Sequence, residues 1–540
     1  MGECVVSDKD EVFKLMDNKV LISKNNNNNN NNNNINNNDR HIFVNLQLHL
    51  IQRIILAIDD DIDRICFSFS CKRWFINRNK YLLLNCDLFI LKSSSHVLNE
   101  KRFYSLNSFK DIISKSFDHK EIGVDYNPKN KGPFSTPYGQ MITLANYRNL
   151  VFAKDYESIR FLCHCYLEIQ SDIDVKSYRL PSNVKEVISI HALRESFLPL
   201  GLERLEINVQ IRNIDVALLP RSLKVLKIKG MRYDSWTIDF RWLPPNLEEL
   251  KCVARKRYDS DNFTQLPSTL KILTISKSWL ENISQLQSIH TLRIVVQSND
   301  TRPFEPGIIP DCVRNLTIKS CIYRKNIAIE ILPPNLKYLK LVKYFNFKKH
   351  IFSSLASLET LDLSTVNLEK KLKLGKLPTK LVNLFMPSWY PHQIKNLNIK
   401  GLKSLERLDL GGSFGKVKGL PKSIKTLCFN NDNRLLISRN SIPKSVETIQ
   451  FKQSDLSMVM NKSFWPNVKS IWTNCDFNFP KSKTNEIPQT ITSITFGRRK
   501  GRIDYQARRL SDQYFLVLGC NRATIVHFKF LSTWLKLLIY

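Results

Sequence analysis

Apolar residues in the C-terminal two-thirds of the chain fall into one short recurring pattern. Its clearest copy is LPPNLKYLKL (332–341), an apolar residue and proline followed by apolar positions spaced three, then two apart. Variants occur at 219–228, 243–252, 266–275, 309–318, 377–386, 420–429, 442–451 and 487–496. Copies without proline keep the spacing at 355–363 and 402–410, and 286–294 and 465–473 read the same way. From Pro181 to Pro488, fifteen equivalent positions are separated by 18 to 24 residues, most by 22 to 24. A period of this length with an LxxLxL core predicts a solenoid of the leucine-rich-repeat class, in which stacked units bury an apolar face that one unit cannot bury alone.

Within a unit, Leu339 and Leu341 are two apart and share one face of an extended segment, while Tyr338 and Lys340 face solvent. Leu336 closes the bend. Proline fixes φ and lacks an N–H, which suits the corner before a strand and forbids long helices between strands. The expected fold is an α/β solenoid, a leucine-rich-repeat-like array with a parallel concave sheet and short, irregular return segments.

The N-terminal part follows other periods. Asparagine-rich residues 1–40 bury no apolar surface and are expected to be disordered. Over 41–85, Ile51, Ile54, Ile55 and Ile58 at i, i+3, i+4, i+7 predict one face of an amphipathic helix. An aspartate among 59–63 is placed to cap a second helix. Residues 86–176 carry weak strand signals and read as an irregular linking or capping region. Repeats are expected over 177–511 and a C-terminal cap over 512–540, with a strand at 515–518 and an amphipathic closing helix at 528–540.

The stretch DRICFSFSCKRWF (63–75) resembles the second half of an F-box, with Asp63, Ile65, Phe67, Phe69 and the Cys71-Lys72-Arg73-Trp74 block on the family's positions. The family's Leu-Pro opening is replaced here by Leu46-Gln47 or Leu48-His49. The resemblance implies a helical segment that binds a Skp-type adaptor and joins a cullin complex, through Ile51, Ile54, Ile55, Ile58, Ile65, Phe69 and Trp74. A plain helical hairpin packed on the rest of the chain is the alternative. IPKSVETIQF, IPQTITSITF and LPKSIKTLCF resemble FNIP repeats, which occur in proteins that also carry an F-box-like segment. Traces of the Phe-Asn signature of that family are visible at Phe345-Asn346 and Phe429-Asn430.

Charge changes the picture little. A net charge of +32 is compatible with a nucleic-acid or membrane partner, but the lysines are dispersed along the repeats as solvated residues would be. Local basic clusters lie at 251–257 and 498–502, the latter followed by Arg508 and Arg509. Twelve cysteines form no CxxC pair, Cys163-His164-Cys165 reads as core packing, and no cofactor or metal is called for. Residues 1–22 lack a secretory core, Val6 breaks the acylation pattern set by Gly2 and Cys4, and 530–540 is too short to span a bilayer. An intracellular protein, cytoplasmic or nuclear, without a membrane anchor is expected.

No Walker loop, HExxH or nucleophile elbow is present, so binding rather than catalysis is expected. The solvent-facing residue between the last two apolar positions of each unit defines a row. Its basic members Lys227, Lys251, Arg293 and Lys340, and its large aromatics Phe385 and Trp472, are the candidate target-binding residues. Such a row suits an acidic or phosphorylated protein target. Aromatics and bases are segregated along it, which disfavours nucleic acid. An interaction scaffold without a ligase role remains the alternative to a ubiquitin-ligase substrate receptor.

Overall fold

The structure is a computed structural model. It describes residues 45–58, 60–84, 103–105, 109, 112, 122–125, 141–143, 158–162, 185–190, 198–209, 219–230, 243–253, 266–283, 286–297, 303–320, 326–327, 331–347, 350–367, 375–388, 399–413, 415–429, 435–436, 441–451, 467–474, 488–497, 503–519, 522–527 and 531. The asparagine tract, Cys163-His164-Cys165, the cluster at 498–502 and all of the expected closing helix but Leu531 lie outside these residues. The chain forms two compact units, one of 120–471 and one of 1–119 with 472–540.

Residues 120–471 hold a parallel sheet. Its strands run from Ile122–Asp125 to Thr448–Phe451 and are joined by fifteen parallel pairings among the described residues. Ile122–Asp125 lies between Met141–Thr143 and Ser158–Leu162; from there on, strands pair in sequence order. Strands therefore begin well before residue 177, and 86–176 is not merely an irregular cap.

Side-chain alternation follows the predicted period. In Thr291–Val296, Leu292, Ile294 and Val296 are buried and Arg293 is exposed. Leu339 and Leu341 are buried, with Lys340 between them on the other face. The bend position (Leu223, Leu247, Leu270, Val313, Leu336) is fully buried.

The proline does more than turn the chain. Its carbonyl accepts the N–H of the bend residue three positions on, as in Leu223 to Pro220 at 3.2 Å and Leu270 to Pro267 at 3.1 Å. Two residues after the proline, a small polar side chain bonds carbonyls of the preceding coil. Ser222 Oγ reaches the Leu200 and Leu202 carbonyls at 2.6 Å each, and Thr269 Oγ1 reaches those of Pro245 and Leu247 at 3.0 and 2.8 Å. Ser423 and Cys312 do the same. The described parts of the return segments include 3-10 turns at Lys277–Asn282 and Ile351–Ser354, and two-residue parallel ribbons such as Asn326–Ile327 with Asn346–Phe347. Gly411 has φ +54°, and a Cβ there would sit 2.2 Å from the Pro387 carbonyl oxygen, so this close approach requires glycine.

The other unit holds three helices: α1 (Leu48–Leu56), α2 (Asp61–Ser68) and α3 (Lys72–Tyr81). Asp60 caps α2 by accepting the Ile62 N–H at 2.9 Å, and Cys71 caps α3 through its sulfur to the Trp74 N–H at 3.4 Å. Ser493–Gly497 pairs antiparallel with Ile503–Arg509, which continues as an antiparallel meander through Tyr514–Gly519 and Arg522–His527. Phe103–Ser105 adds to the last of these, also antiparallel. The repeat pairing thus stops before residue 503 rather than at 511. The helices and the meander share one core: Ile51, Ile55, Ile62, Ile65, Trp74, Phe75 and Tyr81 pack with Leu516, Leu518, Ala523 and Ile525.

Candidate functional site

The helical segment was expected to present a continuous isoleucine stripe to a partner. Only part of that stripe is available. Ile51 and Ile55 are fully buried against the chain's own closing strands, as is Ile65, and Trp74 is buried with its ring stacked 4.5 Å from Phe67. Ile58 lies past the end of α1, where its carbonyl accepts Arg64 Nε at 2.6 Å, and Phe69 is half-buried against Phe75 and Phe109. Ile54 alone of the seven is exposed. The reason is geometric: helix positions 51 and 55 are one turn apart and face the core, while 50 and 54 face away. Even the Cys-Lys-Arg-Trp block has structural work, a cap from Cys71 and stacking from Trp74.

A different apolar set remains. Six large apolar side chains are exposed among the described residues; five of them, Leu50, Ile54, Leu56, Ile76 and Leu83, lie in 45–84. An ion pair and an amide hydrogen bond fasten the same segment to the meander. Arg508 Nε donates to Asp63 Oδ1 at 2.8 Å and its Nη2 bonds the same oxygen, while Gln506 Nε2 reaches Asp60 at 3.4 Å. Arg509 donates to the Ile491, Pro488 and Asp512 carbonyls. These two arginines are therefore not a free basic cluster. Burial lifts the Asp60 carboxyl above the ordinary carboxylate range, and neighbouring Asp63 and Asp61 add to the rise.

On the parallel sheet, the residues of the predicted row are aligned as a ladder, but Glu206, Thr274, Asp362, Asp409 and Cys428 in it are buried rather than solvent-facing. Glu206, Lys227, Lys251, Thr274, Arg293, Thr317, Lys340, Asp362, Phe385, Asp409, Cys428 and Gln450 are aligned strand by strand. Trp472 is half-buried and belongs to the other unit. Phe385 is half-buried, with the Arg407 guanidinium 5.4 Å from its ring centre, and Arg407 also donates to Gln450 at 2.8 Å.

The basic half of the ladder is partly neutralised, which sequence order did not reveal. Lys227 pairs with Glu249 at 3.0 Å, from the parallel row two residues earlier, and Lys340 pairs with Asp362 at 2.7 Å. Burial works to lower the Lys340 pKa, but the bond to Asp362 and its charge outweigh that and raise it.

A second row, at the residue before each strand, was missed in the sequence. It pairs acids and bases one coil apart: Glu203–Lys224, Glu248–Lys271, Lys337–Glu359, Glu406–Lys425 and Glu447–Lys469, at 2.8 to 3.3 Å. Its signal was the alternation of Glu and Lys at the coil period. These pairs are solvent-exposed and set register more than stability. Between Lys271 and Lys337 the alternation fails, because His290 and Arg314 occupy the row.

Known proteins place one part of the array. Residues 415–454 match the FNIP Repeat family. This FNIP segment includes the strand Thr426–Phe429 and the LPKSIKTLCF and IPKSVETIQF copies. No curated protein matches the chain. Among solved structures, "The crystal structure of CroV588 a novel circular LRR protein structure" is 17% identical, with TM-score 0.38 over 65% of this chain and 64% of that one. "Crystal structure of TLR13-ssRNA13 complex" is 14% identical, with TM-score 0.43 over 73% of this chain and 59% of that one. The chain thus spans less than two thirds of the length of either. Among the described residues no group of three metal-ligating side chains occurs, and no helix is long and apolar enough to cross a membrane.

Proposed function

We propose that this chain is a protein-interaction subunit that takes an adaptor on its helical segment and a protein target on the outward face of its repeats. The finer reading is a substrate receptor of a cullin-based ubiquitin ligase, with a Skp-type adaptor on the helices. The observation that carries it is the concentration of exposed large apolar side chains in 45–84, where Leu50 and Ile54 lie one turn apart on α1. Apolar side chains left in water on a short helix suit the groove of a partner. The F-box resemblance of 63–75 supports the choice of adaptor.

The test is capture of a Skp-type adaptor by the full chain and by the double variant Leu50→Asp/Ile54→Asp. Wild type should capture it and the variant should not, because an unpaired buried carboxylate is costly at an interface. The variant should melt as wild type does, since both positions are exposed. Failure of the wild-type chain to capture the adaptor returns the scaffold reading.

A further inference from the structure

Four neighbouring strands, Ile272–Ser276, Thr291–Val296, Asn315–Ser320 and Tyr338–Tyr344, contain no Asp or Glu. Glu249 on one flanking strand and Asp362 on the other bound this window. At its centre is Thr317, with Arg293 beside it on one neighbouring strand and Lys340 on the other. Asn315 and Lys319, two residues either way along its own strand, share its face. Tyr338 stands beside Asn315.

Arg293 and Lys319 are exposed, and with Arg314 they have no carboxylate partner among the described residues. Arg314 extends the cationic region along the edge row, where the acid–base alternation fails. Lys337 and Lys340 are already held, by Glu359 at 3.0 Å and Asp362 at 2.7 Å. Of the acids between these strands in sequence, Glu305 and Asp311 lie in the turns leading into Asn315–Ser320, Glu281 lies in the 3-10 turn Lys277–Asn282, and Asp300 and Glu330 are outside the described residues.

We propose that this face binds an acidic segment of a protein, an extended peptide whose Asp and Glu side chains are held by Arg293 and Lys319. Thr317, Asn315 and Tyr338 supply neutral donors between the cations. One strand step and two residues separate Arg293 from Lys319, about 8 Å between Cα atoms, close to the ~7 Å between alternate residues of an extended peptide. Long basic arms take up the difference. Nucleic acid fits less well, because stacking needs exposed aromatic platforms among the basic side chains, and Tyr338, the aromatic beside Asn315, is half-buried. The proposal rests on the reading of the repeats as the target-binding element and is independent of the adaptor.

The experiment uses the full chain and a labelled peptide rich in Glu and Asp, read by fluorescence anisotropy. Comparators are the same peptide with Gln and Asn, and a single-stranded oligonucleotide. The acidic peptide should bind with an affinity that falls as salt rises. R293E/K319E should weaken it by about tenfold or more through like-charge repulsion. D362N should strengthen it several-fold: the amide still accepts the Ser364 N–H, bonded at 3.0 Å, so the turn survives while Lys340 is released. A merely structural role for Asp362 would not produce a gain.

Equal binding of the acidic and amide peptides, wild-type affinity in R293E/K319E, or tighter binding of the oligonucleotide would each overturn the proposal. A D362N chain that binds the acidic peptide no more tightly than wild type would likewise count against a charge-based site on this face. Lost peptide binding with adaptor capture intact refutes this inference alone; the reverse refutes the adaptor reading alone.

Discussion

Ile54 and Ile55 are adjacent in sequence and opposite in role. Ile55 is fully buried among the helices and the closing strands, whereas Ile54 is more than a third exposed. Ile55→Ala removes three buried carbons, a transfer loss of about 2.4 kcal/mol at ~0.8 kcal/mol per carbon. A cavity that the neighbours only partly fill raises the total into the range of about 2–5 kcal/mol. Ile54→Ala should cost less than about 1 kcal/mol, since much of its surface already meets water. Denaturant titration of the two variants measures the difference. Hydrogen exchange supplies the sharper reading: in Ile55→Ala, amides of α1 to α3 and of Tyr514–Gly519 and Arg522–His527 should lose protection together, because they share one core. Equal destabilisation by the two variants, or loss of protection in α1 alone, would refute the packing of the helices on the closing strands.

Two further outcomes follow from single residues. Asp60→Asn should stabilise the chain at neutral pH, because Asn caps as well as Asp and carries no buried charge, whereas Asp60→Ala should lose about 1 kcal/mol of capping. Burial raises the Asp60 pKa, so its favourable contribution is present at acid pH and lost as pH rises through the raised value; the gain from Asn should therefore fade on acidification, as stability measured across pH will check. Thr269→Val keeps the shape but removes the hydroxyl that bonds two carbonyls of the preceding coil, and should cost about 0.5–1.5 kcal/mol by denaturant titration.

Much of this protein was determined by its sequence. The coil period and the buried apolar positions are local properties: an apolar spacing of three and two, closed by a proline turn, dictates a strand and its inward face wherever it recurs. Because successive coils have nearly equal length, the sequence alignment of the repeats was also the spatial ladder from Glu206 to Gln450. The aspartate cap of α2 was legible for the same reason.

Tertiary structure decided what depends on partners distant in the chain. Nothing near Ile51 or Ile55 announces that Leu516, Leu518 and Ile525 cover them, so a helix stripe that looked free for a partner became core. Periodicity shows that a face is apolar, not what buries it. Charge behaved likewise. Lys227 and Lys340 counted as cations along the row until stacking set Glu249 and Asp362 beside them, whereas Arg293 in the same row has no carboxylate partner among the described residues. Ion pairs between coils depend on register across the sheet, and only the folded stack fixes which residues stand side by side.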